Sequence, residues 1–276
     1  MESDARTIDN SNAVHIKYHP SLDPCRDEFD DSDYYLAEDY EAEADADDKM
    51  KCERLVYTIL CEHPRIVKCL EPPLTLENAE AFVKQPMHFV KAPNGNVLQY
   101  LFAHPDVPRA LRAKWGFQLA EGMAYVHSKG IVWADCSPTN ILLTAELDLL
   151  LCDFGGAAID GDIHMVAPPA RYTDCDREPS IIFTAGREVD IFAFGCVFLE
   201  ILTYDGNEFP PECPFNLHRG GLSPNGKDLL IDQVFWPDFK AIIENCWDLK
   251  YSDGGKIFDA VSSAYQAYLS QCESSA

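Results

Sequence analysis

The chain has no uninterrupted apolar run approaching the ~18 residues that cross a bilayer. Its best candidate, Ile191 to Tyr204, is short and carries Glu200. The amino terminus, Met1-Glu-Ser-Asp, lacks the basic and apolar parts of a secretory leader. Together these absences predict a cytoplasmic or nuclear protein without a membrane span. The eleven cysteines are odd in number and include no C-x-x-C pair, which argues against a zinc site and against a disulfide framework. They are expected to be reduced and mostly buried, acting as small apolar residues. Residues 27–48 hold no Lys or Arg but twelve Asp or Glu, half of a net charge of −24. A segment so charged repels itself and predicts disorder. Its sharper readings are a docking tail for a basic partner, or a mimic of acidic substrate. The acidic excess excludes nucleic acid as a partner, because the phosphate backbone would be repelled.

What is present is enough for a sizeable core. At 276 residues and 47% hydrophobic content, the chain forms one large or two smaller domains. Apolar residues Leu111, Trp115, Leu119, Met123 and Val126 fall at helical spacing within Pro108 to Lys129, and Gly130 follows as a helix stop. Glu188 to Thr203 is apolar nearly all round, as a buried central helix would be. Further helices are predicted from Asp238 to Trp247 and from Lys256 to Leu269. The second half is therefore mostly helical, and no internal repeat is visible.

The most informative window runs from Val132 to Gly155. Asp135 is followed five residues later by Asn140 and, thirteen after that, by Asp153, which is set in Phe-Gly. Phosphoryl transfer spreads charge over peripheral oxygens, so it needs Mg²⁺ held by hard oxygen ligands and a carboxylate that accepts the hydroxyl proton. Asn140 and Asp153 suit the metal, and Asp135 suits the base. Ile141-Leu142-Leu143 and Leu147 to Cys152, separated by a charged turn, predict a short buried hairpin with the ligands at its ends.

These motifs resemble the catalytic core of protein kinases, and residues from about Val14 to Leu269 look like a protein kinase domain, most like the divergent kinase-like proteins of filamentous fungi. The resemblance implies an α+β, two-lobed fold with a truncated, strand-containing small lobe and a mainly helical large lobe. It divides the chain into a tail (1–13), a reduced small lobe (14–91) with a disordered acidic insertion (23–48), a helical large lobe (92–272) and a short C-terminal tail (273–276). Asp190-Ile-Phe-Ala-Phe-Gly195 is similar to the buried helix beneath the catalytic loop. Phe89-Val-Lys-Ala-Pro-Asn-Gly95 resembles the hinge, with Phe89 gating the adenine pocket, the backbone of Val90 and Ala92 facing the adenine edge, and Leu142 closing from below. By the same resemblance Lys17, in Val14-His-Ile-Lys17, is the nucleotide lysine and Glu53 its helical partner. Trp133 fills the position of an internal-spine histidine, packing with Phe154 and Tyr57.

The departures are as specific as the matches. The sixteen residues before Lys17 contain no glycine, so the glycine-rich lid over the phosphates is missing. A start upstream of Met1 in a longer product is the other reading of that gap. Trp133-Ala134-Asp135 stands where kinases present H-R-D, which removes the arginine that reads a phosphorylated activation loop. Ser137 and Thr139 occupy the positions where kinases place a catalytic-loop cation, a loss worth on the order of 10²- to 10³-fold in rate. Glu178 lies where the A-P-E glutamate belongs, flanked by Arg177 and Pro179 instead.

Three functions are compatible with these residues. The first is a protein kinase that transfers the γ-phosphate of Mg·ATP to protein hydroxyls, Ser/Thr before Tyr, with weakened activity. The second is a pseudokinase scaffold, favoured by the missing lid and cations. The third is a small-molecule kinase of the aminoglycoside or choline type, against which the Phe-Gly after Asp153 and the Asp190 helix speak.

Overall fold

The computed structural model describes residues 14–17, 38–73, 75, 85–159, 172, 186–205 and 231–274, with side chains only from residue 47 onward within the first two stretches. Residues 23–37, the Arg177-Glu178-Pro179 triplet and the side chain of Lys17 lie outside the described residues.

The architecture is α+β, with short antiparallel strand pairs between long helices. Strand β1 (Val14–Lys17) pairs with β2 (Met87–Val90) in the register Val14↔Val90 and Lys17↔Met87. Helix α1 (Glu38–Leu60) lies between them in the chain. An extended run after α1 bonds on both sides: Val90 N donates to Lys68 O at 3.0 Å, and Val67 N to Leu151 O at 2.9 Å. That run joins the β1–β2 pair to the hairpin of β4 (Ile141–Leu143) and β5 (Leu149–Leu151). A third pair couples β3 (Ile131–Val132) to β6 (Ala158–Ile159).

Helix α1 corrects one expectation. Residues 38–48, expected to be disordered through self-repulsion, are helical. The acidic run supplies the first turns of a helix whose later turns bury Glu53, Val56, Tyr57 and Leu60. Anions at a helix N-terminus are favoured by its dipole, Ala and Glu are good helix formers, and elongation from an anchored helix adds one bond per residue.

Helix α2 (Val97–Ala103) opens with a capping box, in which Asn96 Oδ1 accepts from Gln99 N at 2.8 Å and Gln99 Oε1 from Asn96 N at 3.5 Å. Helix α3 (Arg109–Ser128) buries Trp115, Leu119, Met123 and Val126 along the predicted face. Gly130 follows it at φ +75°, a conformation that favours glycine. Helix α4 (Glu188–Thr203) is buried from Val189 to Leu202, as its all-round apolar sequence demands. Helices α5 (Pro237–Trp247) and α6 (Gly254–Ser274) complete the layer, with Pro237 in the first turn of α5. α3 packs along α6, and α4 packs on α5 and α3. At Gly195 the backbone of α4 comes so close to α5 that a Cβ would stand 2.9 Å from Cys246 Cβ.

The cysteines are a second correction. Eight lie among the described residues, and only Cys136, Cys196 and Cys246 of them are buried. Cys61, just past the end of α1, and Cys272, in the last turn of α6, are exposed. Among the described residues no helix is long and apolar enough to cross a membrane, and no group of three His, Cys, Asp or Glu gathers as a metal site.

Candidate active site

The loop from Trp133 to Asn140 is held through its backbone as much as through side chains. Asp190, at the N-terminus of α4, is fully buried, and its carboxylate accepts Trp133 N at 2.7 Å and Ala134 N at 2.8 Å. His127, buried at the end of α3, stands 2.9 Å away through Nε2. Gly254 N donates to His127 Nδ1 at 2.8 Å. Since Nδ1 is an acceptor there, the ring proton sits on Nε2 and is donated to Asp190. The arrangement ties the first turn of α6 to the loop before Asp135.

Asn140 closes the loop on the other side. Its Nδ2 donates to Asp135 O at 3.0 Å and to Asp135 Oδ2 at 2.9 Å. Both amide hydrogens are thereby used, which leaves Oδ1 as the atom free to ligate a cation. Across the β4–β5 hairpin, Cys152 N donates to Asn140 O at 3.0 Å. The position after it, Asp153, is in the left-handed region at φ +57°, and Ala134 is at +64°. Neither is glycine, so each costs about 1–2 kcal/mol of backbone strain that the surrounding bonds must offset. Ser137 Oγ and Thr139 Oγ1 hydrogen-bond each other at 2.8 Å.

A column of aromatic rings runs behind these groups. Ring centroids are 5.7 Å apart for Trp133–Phe154, 5.5 Å for Tyr57–Phe154 and 5.2 Å for Tyr57–Phe89. The indole N–H of Trp133 is shared between Cys152 O at 3.1 Å and Asp153 O at 3.0 Å. Tyr57 is buried with its hydroxyl lacking a partner among the described residues. Burial first, and then the neighbouring Glu53 carboxylate, push its pKa well above the usual phenol range.

In front of the column lies a cleft of about 500 Å³. Glu53, Phe89, Val90, Ala92, Leu142, Asn140 and Asp153 line it together with Tyr57 and Thr139, so these residues singled out in the sequence meet there. Asp135 joins through Asn140. Lys17 is described by its backbone alone, opposite Met87. A larger cleft of about 650 Å³ lies across Tyr57 and Val67, which wall both cavities. It contains none of Asp135, Asn140 or Asp153, so volume alone does not locate the chemistry.

Sequence reasoning missed His127, the Trp133 N–H bonds and the support of the hairpin by α3. In that support Gln118 Nε2 donates to Asp148 Oδ1 at 2.6 Å, Gln118 Oε1 accepts Leu149 N at 3.0 Å, and Lys114 pairs with Asp148 at 2.6 Å. The Lys114 and Gln118 bonds hold the Asp148 carboxyl below its ordinary pKa. A usable signal existed for His127, a polar residue next to the apolar face of a helix and three residues before a glycine.

The family model for the protein kinase domain matches residues 37–207. The chain is 31% identical over 143 residues to the mitogen-activated protein kinase HOG1 of Gibberella zeae, covering 50% of this chain and 39% of the relative. It is 34% identical over 119 residues to the same-named kinase of Candida glabrata, covering 42% and 26% respectively. A putative serine/threonine-protein kinase/receptor of Acanthamoeba polyphaga mimivirus is 28% identical over 151 residues, which are 52% of this chain and 9% of that protein. The matched region spans less than half the length of each of these relatives. With most of its length matched, the chain belongs to the protein kinase domain family.

Proposed function

We propose that the chain binds Mg·ATP in the 500 Å³ cleft and transfers the γ-phosphoryl group to a protein hydroxyl, Ser or Thr before Tyr, at a weakened rate. The observation that carries this reading is the double donation of Asn140 Nδ2 to the backbone and carboxylate of Asp135. It fixes a base and a ligand oxygen relative to each other, and the hairpin bond from Cys152 N to Asn140 O ties Asp153 to both.

The donor set fits the metal: an amide oxygen and a carboxylate are hard ligands of the kind Mg²⁺ takes alongside phosphate and water. When bound, the ion neutralises charge on the β- and γ-oxygens. Asp135 would orient the acceptor hydroxyl and take its proton. Lys17 and Glu53 would pair over the α- and β-phosphates, and antiparallel pairing of β1 with the Phe89 strand supports that assignment. Val90 and Ala92 would offer backbone groups to adenine, with Phe89 behind and Leu142 below.

In this reading residues 14–91 form a reduced small lobe and 92–272 the large one, the cleft lying between. Protein substrates follow from the family, and the acidic run at 27–48 would favour a basic partner and repel nucleic acid. A pseudokinase scaffold is the second reading. It is favoured by the Ser137–Thr139 hydroxyl pair, which puts two neutral groups where a charge-stabilising cation would act.

The test is a thermal-shift titration with ATP, with and without Mg²⁺, on the intact chain and on Asp153→Asn. A ligand that binds only the folded state adds about 2.7 kcal/mol at a hundredfold excess over Kd. A Mg-dependent shift that disappears in the variant is expected. No shift at millimolar ATP would replace the kinase reading with the scaffold.

A further inference from the structure

The chemistry proposed for the cleft needs more positive charge than its described walls supply. Glu53 and Asp153 line it, and Asp135 stands beside it on Asn140. Among the described lining residues the one cation is Lys91, next to Val90 at the end proposed for adenine. Lys17, in the reading above, serves the α- and β-phosphates. A phosphoryl group in transfer spreads negative charge over its peripheral oxygens, and three carboxylates close by add to it.

Two hydroxyls stand next to the proposed base. Ser137 and Thr139 follow Asp135 by two and four residues and flank Pro138, which opens a single turn ending at Asn140. Ser137 is buried, while Thr139 is exposed and lines the cleft. Their side chains meet at 2.8 Å. That bond uses one O–H and one lone pair, so the remaining lone pairs are open to a donor. Hydroxyls are neutral: they can seat a cation but cannot stand in for one. The Asp135 carboxylate beside them adds attraction for positive charge.

We propose that the substrate brings the cation: the acceptor is a peptide hydroxyl flanked by Lys or Arg, whose charged group seats on the Ser137–Thr139 pair. The inference rests on the reading of the chain as a phosphotransferase. In the transfer the acceptor oxygen forms the new bond to the γ-phosphorus. The bond from phosphorus to the ADP oxygen breaks, its electron pair stays on ADP, and the hydroxyl proton passes to Asp135. The substrate's cation balances the charge on the group in transit. This differs from a basic partner held by residues 27–48, because a remote contact favours the ground state and the transition state alike.

The experiment compares two peptides on the intact chain with Mg·ATP. One carries Lys on both sides of the acceptor serine, and the other carries norleucine, which keeps the aliphatic stem and lacks the charge. Steady-state rates give kcat and KM separately, and fluorescence anisotropy of the same peptides on the nucleotide-free chain reads ground-state binding. Thr139→Lys places a cation in the chain itself. Ethylammonium added to the norleucine reaction does the same in solution, and keeps the test alive if the variant does not fold.

The norleucine peptide should lose about 10²- to 10³-fold in kcat, the cost of removing a charge-stabilising group, with a far smaller change in binding. Thr139→Lys should turn that peptide over faster and shrink the ratio about tenfold or more, and ethylammonium should restore part of the rate. Equal kcat for the two peptides, or a difference confined to KM and binding, overturns the proposal while leaving the transferase reading intact. So does a ratio that neither Thr139→Lys nor ethylammonium diminishes. No turnover of either peptide, by parent or variant, sinks the transferase reading and the seat for a substrate cation with it.

Discussion

The amide of Ala134 donates to the Asp190 carboxylate at 2.8 Å while Ala134 stands at φ +64°. A residue 56 positions later in the chain thus holds the strained backbone immediately before Asp135. The same carboxylate also accepts Trp133 N and the His127 ring. Removing it in Asp190→Ala would leave three buried donors without partners, each costing about 1–3 kcal/mol. The surroundings relax in part, so the expected loss is about 3–5 kcal/mol. Urea denaturation measures it, and a loss under about 1 kcal/mol would contradict the role assigned to these bonds.

Tyr57 predicts a substitution of the opposite sign. Its ring packs on Phe89 and Phe154, but its buried hydroxyl has no partner among the described residues. Tyr57→Phe keeps both ring contacts and removes a desolvated polar group, so stability should rise by about 1–2 kcal/mol rather than fall. Melting and urea curves of the two proteins compared side by side give the answer. A fall of similar size would mean that a bound water or ligand satisfies the hydroxyl.

How much of this was legible in the sequence follows from how local each signal is. The bounds of α4 match the run Glu188 to Thr203 because every face of that helix is buried, so the apolar pattern begins and ends with the element. The hairpin and the Asp135–Asn140–Asp153 spacing were legible for the same reason, since consecutive residues carry them. Composition misjudged residues 38–48, where repulsion between side chains was weighed without the anchored helix that follows them. The role of His127 was not legible because the partners that define it, Asp190 and Gly254, are 63 and 127 residues distant, although its place beside the apolar face of α3 marked it as a polar residue at the edge of the core. The sharing of the Trp133 proton between two carbonyls is a matter of ring orientation, which no residue pattern encodes.

Cysteine burial was the poorest of the composition-based expectations, and it gives a prediction with a pH dependence. Partial burial, reinforced by the Glu71 carboxylate that accepts the S–H, raises the Cys69 thiol from 9.0 to about 11. The thiolate is the nucleophile, so at pH 8 Cys69 carries about a hundredfold less of it than an unshifted thiol. Iodoacetamide followed by peptide mass mapping should therefore modify exposed Cys61 and Cys272 first, with Cys69 catching up only as the pH approaches 11. The sign for stability follows from the same shift. Between 9.0 and about 11 the unfolded chain gives up a proton that the folded chain keeps, so this group makes folding less favourable as pH rises through that window, and has no effect below it. Labelling of Cys69 at pH 8 as fast as that of Cys61 would show that its thiol is neither shielded from solvent nor held by Glu71.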